Sequence, residues 1–597
     1  MKKSTLLLIL FIALSKISYA QTFIERIDVD SGDFVQHSIA QLDGGDYVVA
    51  GTQSPGITAG TDVRLLRIDN TGSIVWSKNF DFGGIDSFVG SITIGEGNII
   101  ALTGYVGINN GPKDLLIATI DENGNLLAEL TLNDPPRPTG QNYQLYGTDI
   151  VQKENGDFLV VGLGTSFTTT GSSKYGFVLS ADRNLAGLTA FTPQVYDGSF
   201  LLNQRNTFNK ITKVPSNVSP NGQEMFLLTG TTTTASGNSQ GLMRLIDANG
   251  VAAWTQSYSG QATHQNGGMA IYNPATGLFY VTYPWVEGQL ETISVDFANG
   301  NIIDSYFIYA PDRDNFVSML LNGMVLDRNT NSTSIAYSAF MFNSQFDSGI
   351  GRHMAFSIDY DNANAKVNWQ QLYQSEFSTA DLLNVNFDFI AQPINYGSSP
   401  TSVISNTYYT PKGGIINDNQ NNLVFTGLQQ NPITNQLSLS LFRTTLSGEV
   451  QCDCLLPLTL DIDVISASTG NNFNQNFIPY VPSQIGASLL SSPFKLQLSC
   501  TQTNYCRSAS RVSFGIEQEQ EQKSIELYPN PVKNQLHIKA MANTKVSLYD
   551  MQSKLIWQQT LNTNVKTINL SHLQQGIYFA KFVDASGEVF IKKVIKE

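Results

Sequence analysis

A pattern that recurs along residues 35–450 most restricts the fold of this 597-residue chain. The clearest copies have a β-rich run that ends in glycine, a variable loop, and a second apolar run that ends in Asp-x-x-Gly, often followed by tryptophan. In the first copy, residues 47–51 end at Gly51, and the second run leads through Asp69 and Gly72 to Trp76. The copies at Asp121 and Asp247 follow it closely, and four weaker copies centre on Asp182, Asp296, Asp359 and Gly448.

The spacing of the copies indicates four short strands in each. Successive marker aspartates lie between 49 residues apart, from Asp247 to Asp296, and 65 residues apart, from Asp182 to Asp247. Four-stranded β-propeller blades have this length, whereas leucine-rich and hexapeptide repeats are shorter. A single blade has two apolar faces that it cannot bury alone, but neighbours in a closed ring bury both. The sequence therefore predicts an all-β protein with a roughly seven-bladed ring over residues 21–450.

The repeat resembles the β-propeller repeats of bacterial exported proteins and, more distantly, the tryptophan-bearing blades of quinoproteins. Residues 69–76 depart from the Asp-box of sialidases, which has Asp-x-Gly where this chain has Asp-x-x-Gly. A charged fraction of 14% and an aromatic fraction of 10% fit many short strands joined by turns. The resemblance does not imply a quinone, and no cofactor is expected.

The connections divide the predicted ring into two unequal faces. With the strands of a blade named A to D, the A–B connection at residues 43–45 and the C–D connection at residues 69–72 are short hairpin turns. B–C and D–A connections, such as residues 54–61 and 131–146, are longer. We call these two sides the turn face and the loop face, and expect binding residues on the loop face. The candidates that would suit a sugar ring or a protein ligand are Arg137, Tyr143, Arg205, His264, Trp285 and Tyr408.

Two segments could supply the last strand of the ring. Residues 22–27 are similar to residues 74–79, the fourth strand of the first copy, shifted to the N-terminus. Residues 449–454 could fill the same position, and the sequence does not choose between the two segments.

The first twenty residues have the layout of a cleaved secretory signal. Lys2 and Lys3 precede an apolar run over residues 6–14, and small residues lead to an expected cut between Ala20 and Gln21. No later apolar run has the length of a membrane-spanning helix, so we expect no transmembrane segment in the mature protein.

Residues 451–512 carry all four cysteines and are predicted to be a β-rich segment. In an exported protein, four cysteines in so short a stretch predict two disulfides, for which three connectivities exist. A bond between Cys452 and Cys454 would close a cramped ring, which favours bonds from these two residues to Cys500 and Cys506. A zinc site is the alternative, although no histidine lies nearby. Residues 513–524 are polar and are predicted to be a linker.

The last segment, residues 525–597, differs in charge from the rest of the chain. It holds nine lysines and five acidic residues, a net charge of +4, whereas the whole chain has −14. Its motifs are similar to those of the type A C-terminal sorting domain of type IX secretion substrates, and the residues that carry the similarity are Tyr528, Pro529, Asn530, Pro531, Asp550, Gly576, Tyr578, Lys592 and Lys593. The resemblance implies an Ig-like β-sandwich, recognition by the type IX translocon and sorting machinery, and delivery to the medium or the cell surface.

The remaining signals favour binding over catalysis. A net charge of −14 makes nucleic acid an unsuitable partner, because phosphate binding needs clustered Lys and Arg. Signatures of zinc proteases, serine hydrolases and phosphate-binding loops are missing from the sequence. The Asp-x-x-Gly motifs fit hairpin turns better than calcium loops, and the isolated His37, His264 and His353 fit structural or exposed positions.

We therefore assign no catalytic or metal-binding residue. The expectation is an exported, non-catalytic binding or adhesion protein whose ligand is a surface glycan or a protein. A secreted carbohydrate-active hydrolase or lyase on the same scaffold is the alternative.

Overall fold

The structure is a computed structural model, and it divides into two compact units, one up to Ser510 and one from Arg511. It describes residues 22–29, 33–54, 61–82, 86–107, 113–133, 143–168, 171–188, 194–196, 206–233, 239–258, 268–284, 290–309, 318–328, 333–342, 350–360, 365–378, 414–430, 437–450, 455–456, 461–465, 478–479, 483–484, 500–507, 526–528, 531–539, 544–550, 554–561, 565–583 and 589–596. The predicted signal segment, including Ala20 and Gln21, lies outside these residues. Across the described ranges, no helix is long and apolar enough to cross a membrane.

The described strands of the first unit form seven antiparallel blades. Their bounds are β1 (Phe23–Val29), β2 (Asp33–Gln41), β3 (Tyr47–Ser54), β4 (Asp62–Ile68), β5 (Ile74–Phe80), β6 (Asp86–Gly95), β7 (Ile99–Gly107), β8 (Lys113–Ile120), β9 (Leu126–Asn133), β10 (Tyr143–Gln152), β11 (Phe158–Thr168), β12 (Gly171–Ala181), β13 (Gln194–Tyr196), β14 (Asn206–Val214), β15 (Met225–Thr233), β16 (Ser239–Asp247), β17 (Ala252–Tyr258), β18 (Met269–Asn273), β19 (Leu278–Pro284), β20 (Leu290–Asp296), β21 (Ile302–Tyr309), β22 (Ser318–Leu326), β23 (Ser334–Phe342), β24 (Ile350–Asp359), β25 (Lys366–Ser378), β26 (Ile415–Asn417), β27 (Leu423–Gln430) and β28 (Leu437–Thr444).

Each blade is a four-stranded meander. Blades 1 to 6 are β2–β5, β6–β9, β10–β13, β14–β17, β18–β21 and β22–β25, and blade 7 consists of β26, β27, β28 and β1. A single parallel bridge between Gln144 of β10 and Lys113 of β8 also links blades 2 and 3. The all-β, propeller-like fold predicted from the repeat is confirmed.

The N-terminal strand closes the ring. β1 pairs antiparallel with β28, with Ile24 opposite Phe442 and Ile27 opposite Leu439. It therefore takes the outer position in blade 7, and of the two segments that the sequence left open, the N-terminal one fills this position. A strand from the start of the chain thus completes the blade formed by residues 415–444, as closure of a repeat ring requires.

Apolar clusters fill the seams between neighbouring blades. At the seam of blades 7 and 1, Phe23 and Val424 pack with Phe34 and Tyr47, all fully buried. The other six seams have clusters of the same kind. Because every blade buries one face against each neighbour, the hydrophobic driving force is spread evenly around the ring.

A glycine recurs near the end of the B strand in five of the seven blades, in β3, β7, β11, β15 and β27, and two of them show a steric cause. The inner strand β6 has a bulge between Val89 and Ser91, opposite Gly104 of β7. A Cβ at Gly104 would overlap the backbone oxygen of Phe88. A bulge in β14 brings the backbone oxygen of Thr207 equally close to Gly230. The glycine is therefore required where the bulged inner strand approaches most closely.

The Asp-x-x-Gly motif closes the C–D hairpin and gives the next blade a docking point. Asp69 Oδ1 accepts hydrogen bonds from the N–H groups of Thr71 and Ser73, both at 2.8 Å. Gly72 follows with a φ of +88°. The tryptophan of one blade bonds to this turn in the following blade, as Trp76 Nε1 does to the backbone oxygen of Glu122 at 2.9 Å. The motif is thus a side-chain-capped turn that also joins blades.

Five short strands add to the outer edges of the blades, and we call this set of strands the belt. The belt consists of β29 (Leu455–Leu456), β30 (Asp461–Ile465), β31 (Ile478–Pro479), β32 (Ser483–Gln484) and β33 (Cys500–Arg507). These strands pair antiparallel with β25, β21, β13, β9 and β1 in that order. The belt belongs to the same compact unit as the ring.

The second unit, which we call the sorting unit, has two sheets. Its strands are β34 (Glu526–Tyr528), β35 (Gln535–Lys539), β36 (Lys545–Asp550), β37 (Leu555–Thr560), β38 (Val565–Asn569), β39 (Gly576–Val583) and β40 (Val589–Lys596). One sheet has the order β34-β35-β38 and the other β37-β36-β39-β40. Leu536, Ile538, Val546, Leu548 and Phe582 contribute to one buried cluster between them. Two antiparallel sheets around one core form the β-sandwich that the sequence predicted.

Candidate functional site

The axis of the ring holds a cavity of about 390 Å³. It is lined by five of the seven innermost strands, β2, β6, β10, β14 and β26. Its wall is mainly aliphatic, from residues such as Ile39, Ile92, Ile211 and Ile416. The lining comes from the ends of the A strands that lead into the A–B turns, so the cavity lies toward the turn face.

One ion pair lies in the wall of this cavity. Lys210 Nζ is 3.2 Å from Asp149 Oδ2, and the N–H of Ile211 donates to the same oxygen at 2.8 Å. The Asp149 side chain is 2% exposed and that of Lys210 is 20% exposed. The Asp149 carboxylate has its hydrogen-bonding needs met by an ammonium group and a backbone N–H, so this pair joins the neighbouring blades 3 and 4.

The bulges of the inner strands carry further bonds between blades. Thr148, at the bulge of β10, donates from Oγ1 to the backbone oxygen of Phe208 in blade 4 at 2.8 Å. Asn322, at the bulge of β22, donates from Nδ2 to the backbone oxygen of Thr426 in blade 7 at 2.8 Å. Hydrogen bonds therefore join the inner strands of different blades around the cavity, and backbone positions fix its width.

The A–B turns interlock around the turn face. The N–H of Asn419 donates to Gln41 Oε1 at 2.9 Å, and the N–H of Glu96 donates to Gln152 Oε1 at 2.8 Å. Ser216 donates to Glu154 Oε1 at 2.8 Å through its N–H, and these bonds from Ser216 lower the pKa of Glu154. Because these turns bond to one another, the turn face is a rigid rim.

The loop-face half of the axis holds an aromatic cluster that the sequence analysis did not find. Phe88 stacks on Tyr105 with ring centroids 5.2 Å apart, and Tyr105 meets the Tyr146 ring edge-to-face at 5.3 Å. Lys113 Nζ lies 4.7 Å from the Tyr105 centroid. His37 packs against Phe88 at 4.3 Å. These side chains are buried, so the cluster packs blades 1, 2 and 3 together near the loop face.

Only an alignment of the repeats by register could have revealed this cluster. Phe88 and Tyr146 each precede the bulge of an A strand, and Tyr105 follows the marker Gly104. In the linear sequence they are single aromatic residues up to 58 positions apart, from Phe88 to Tyr146.

Other buried titratable groups serve contacts between or within blades. Burial raises the pKa of Glu291, which accepts hydrogen bonds from the hydroxyls of Tyr258 and Ser305. Burial lowers the pKa of His353 to about 3, and its Nε2 accepts the N–H of Leu428 at 2.8 Å. Within the described ranges, no group of three or more His, Cys, Asp or Glu side chains could hold a metal ion.

The structure describes little of the ligand site expected from the sequence. Tyr143 is the first residue of β10, with its backbone opposite Ser166. Arg137, Arg205, His264, Trp285 and Tyr408 lie outside the described residues. Cys452 and Cys454 also lie outside the described residues. Cys500 is the first residue of β33, and Cys506 is its last but one.

The sorting-motif residues that are described lie on strands or next to them. Tyr528 ends β34, is 45% exposed, and stacks on His537 with centroids 5.2 Å apart. Tyr578 is buried and donates to the backbone oxygen of Gln574 at 2.9 Å. Lys592 is exposed on β40, opposite Ala580.

The other motif residues are placed only in part. Pro531 is exposed just before β35, and Gly576 begins β39. The backbone of Asp550 ends β36, and that of Lys593 lies in β40. Pro529 and Asn530 lie outside the described part of the chain.

Residues 526–597 match the family described as the secretion system C-terminal sorting domain. The chain is a type IX secretion substrate. It is exported across the outer membrane and either released or kept at the cell surface. The family match covers only the sorting unit and says nothing about what the ring does.

No curated protein sequence matches this chain significantly. Among solved structures, an endo-arabinase of Bacteroides thetaiotaomicron aligns at 13% identity over 43% of this chain and 89% of its own, with a TM-score of 0.27. The WD40 domain of SCAP from fission yeast aligns at 9% identity over 72% and 98%, with a TM-score of 0.27.

A third similar structure is PorZ, a surface component of the type IX secretion system of Porphyromonas gingivalis. It aligns at 10% identity over 96% of this chain and 99% of its own, with a TM-score of 0.16. At such identities and scores, none of the three transfers an activity or a ligand to this protein.

Proposed function

We propose that the mature protein is an extracellular, non-catalytic binding or adhesion protein whose loop face engages a surface glycan or a protein. The observation that carries this proposal is the contrast between the two faces of the ring. The A–B turns are bonded to one another, as between Asn419 and Gln41, while the D–A connections are long, up to the 36 residues between β25 and β26. Long connections on a rigid scaffold are where binding residues concentrate.

The buried carboxyl groups in the described part of the ring support binding over catalysis. Asp149 is held by Lys210 and a backbone N–H, and Glu291 is held by two hydroxyls. A general acid or base needs a free path to substrate and hydrogen-bond reach of the proton it moves. In the described residues, both carboxyl groups bond to groups on a neighbouring blade or strand, so they have structural roles.

The candidate ligand residues fit a carbohydrate or protein surface by chemistry. Tyr143, Trp285 and Tyr408 offer faces for stacking, and Arg137 and Arg205 offer forked donors for hydroxyl or carboxylate oxygens. These five residues fall in or beside D–A and B–C connections, which all emerge on the loop face. The buried aromatic cluster around Tyr105 packs neighbouring blades together near this face.

The test is a glycan and protein panel run on the mature full-length chain, scored for both binding and turnover. Trp285→Ala and Tyr408→Ala should each weaken binding at least about tenfold, which corresponds to the loss of one stacking contact. Val251→Ala is the matched control, because Val251 is 63% exposed beside the C–D turn on the turn face.

The outcomes separate the proposal from its alternative. Binding without turnover that depends on Trp285 and Tyr408 supports the proposal. Turnover of a glycan by the wild-type chain would replace it with a carbohydrate-active hydrolase or lyase. Binding that is lost in Val251→Ala but kept in the loop-face variants would place the site on the wrong face.

A further inference from the structure

The axial cavity has an aliphatic wall that solvent reaches from the turn face. Ile94, Val151 and Ile416 of this wall are half-buried, although they lie at the centre of the ring. Apolar surface that stays in contact with water gains free energy when a partner covers it. The isoleucines that line the cavity are Ile39, Ile92, Ile94, Ile150, Ile211 and Ile416.

The polar side chains of the wall bond to other groups of the ring. Lys210 Nζ lies 3.2 Å from Asp149 Oδ2, so this pair brings no net charge to the cavity. Gln41 Oε1 accepts the N–H of Asn419 at 2.9 Å, and Gln41 Nε2 donates to the backbone oxygen of Gly45 at 3.0 Å. The wall is therefore suited to an apolar group rather than to an ion.

The rim of the cavity carries negative charge. The A–B turns of blades 1, 2 and 3 each hold an exposed acidic residue, namely Asp43, Glu96 and Glu154. The inner strands of the same three blades line the cavity. Lys213, at the end of β14, is already paired with Glu224 at 3.0 Å. On this side of the axis, the rim therefore attracts a positively charged partner.

Two exposed arginines on the turn face leave this negative charge in place. Arg183 Nη1 lies 3.8 Å from Glu96 Oε2, and both side chains are about half exposed or more. Exposed ion pairs are weak, so a cation from a partner can displace Arg183 from Glu96. Arg328 lies beyond β22 in blade 6, whose inner strand does not line the cavity.

The apolar surface continues beyond the cavity. Val218, in the A–B turn of blade 4, is 39% exposed. The same turn is fixed to blade 3, because the N–H of Ser216 donates to Glu154 Oε1 at 2.8 Å. A preformed apolar pocket inside a wider polar rim is the layout of a protein-binding surface.

We propose that the turn face is a second interaction surface, separate from the loop face, and that it binds a basic segment of a partner protein. An aliphatic side chain of the segment enters the axial cavity, and the lysines or arginines beside it meet Asp43 and Glu96. An apolar cavity of about 150 Å³ already admits benzene, so one of about 390 Å³ has room for a leucine side chain. The two acidic residues project from separate turns, so a segment with several cations fits them better than one small amine does.

The cavity isoleucines allow binding to be observed at the site itself. The mature full-length protein is labelled at its isoleucine δ1 methyl groups and titrated with a capped Lys-Lys-Leu-Lys-Lys peptide, while methyl NMR spectra are recorded. Ile94→Val identifies one of the cavity signals. The peptide should shift the cavity signals and leave those of the sorting unit in place. Alanine in place of the peptide's leucine should weaken binding about tenfold, because the buried aliphatic area is lost. A capped Glu-Glu-Leu-Glu-Glu peptide should not bind.

A charge variant tests the rim. Asp43→Asn combined with Glu96→Gln should weaken binding of the basic peptide about fivefold at low salt, and both positions are exposed, so the ring should fold normally. Glu122→Gln is the matched control. Its side chain is 45% exposed, and it removes the same charge from a C–D turn, farther from the axis.

Three results would overturn the proposal. The first is an absence of shifts at the cavity methyl groups with millimolar peptide, and the second is equal affinity of the double variant and the wild type. The third is binding of 3-methylbutylamine as tight as that of the peptide, which would make the cavity a site for small amines. Trp285→Ala and Tyr408→Ala should bind the peptide like the wild type, so failure of this site and failure of the loop-face site are distinguishable.

Discussion

Replacement of His353 offers a quantitative test of the seam between blades 6 and 7. The imidazole is fully buried, its Nε2 accepts the N–H of Leu428 at 2.8 Å, and the Phe340 ring lies 4.2 Å away. Burial lowers its pKa to about 3, from an ordinary value of 6.5. In the folded ring the side chain is therefore neutral at every pH above about 4.

The sign of the effect follows from proton uptake. Between pH 6.5 and 3 the unfolded chain binds a proton at His353 that the folded ring does not bind, so stability falls as the pH falls. Each pH unit costs about 1.4 kcal/mol, so two units below 6.5, at pH 4.5, the loss is about 3 kcal/mol. Stability from this group is complete above about pH 7.

The variant His353→Gln keeps a hydrogen-bond acceptor and removes the titration. At pH 7 it should be less stable than the wild type, because the shorter amide replaces a ring packed against Phe340. At pH 4.5 the gap should shrink by about 3 kcal/mol, since only the wild type is penalised. Urea unfolding at both pH values, followed by tryptophan fluorescence, measures the change.

A matched control uses an exposed histidine. His572 lies in an exposed turn of the sorting unit. His572→Gln should leave the unfolding curve of the ring unchanged at both pH values, because this side chain is exposed and lies in the other unit. A gap between His353→Gln and the wild type that stays constant over this range would refute the buried, neutral histidine.

Three further predictions concern the bulge, the closing seam and the sorting unit. Gly104→Ala should destabilise the ring by roughly 2 to 4 kcal/mol in urea unfolding, since its Cβ would meet backbone, whereas Gly44→Ala, with no atom within 4 Å, should cost little. Asp418→Asn should destabilise the ring by roughly 3 kcal/mol in the same assay, because it removes the counter-charge of the buried Arg443 guanidinium. In the wild type, this guanidinium lies 2.9 Å from Asp418 Oδ2. An unfolding midpoint equal to that of the wild type would contradict the buried ion pair. Deletion of residues 525–597 should stop secretion and leave a folded, protease-resistant ring in the cell envelope, and an unfolded ring in fractionated cells would show that the sorting unit is structural.

Much of the ring could be predicted because its signals are local. A hairpin turn is set by a few neighbouring residues, so the capped turn at Asp69 and its glycine were readable from the sequence. Strand length and repeat spacing then give four strands to a blade and seven blades to a ring. The sorting unit was recognised for the same reason, since its motifs lie in short runs near the end of the chain.

The position of the site could be predicted only in outline. Long connections marked the loop face, but the channel wall depends on pairs such as Asp149 and Lys210, which are 61 residues apart in the chain. The repeated glycine was visible, whereas its cause, a bulge in the strand beside it, needed the register of β6 against β7. Side chains meet across blades only after the ring closes.

The sequence by itself determined the blade, the turn chemistry and the C-terminal sorting domain, because each rests on short runs of residues. The tertiary structure alone decided which strand closes the ring, since the sequence allowed either residues 22–27 or residues 449–454 as the outer strand of the last blade. It also decided that β33, from the cysteine-bearing segment, pairs with the outer edge of β1. Strand pairing between distant segments depends on which edges remain open when the blades have packed, and local sequence does not encode that.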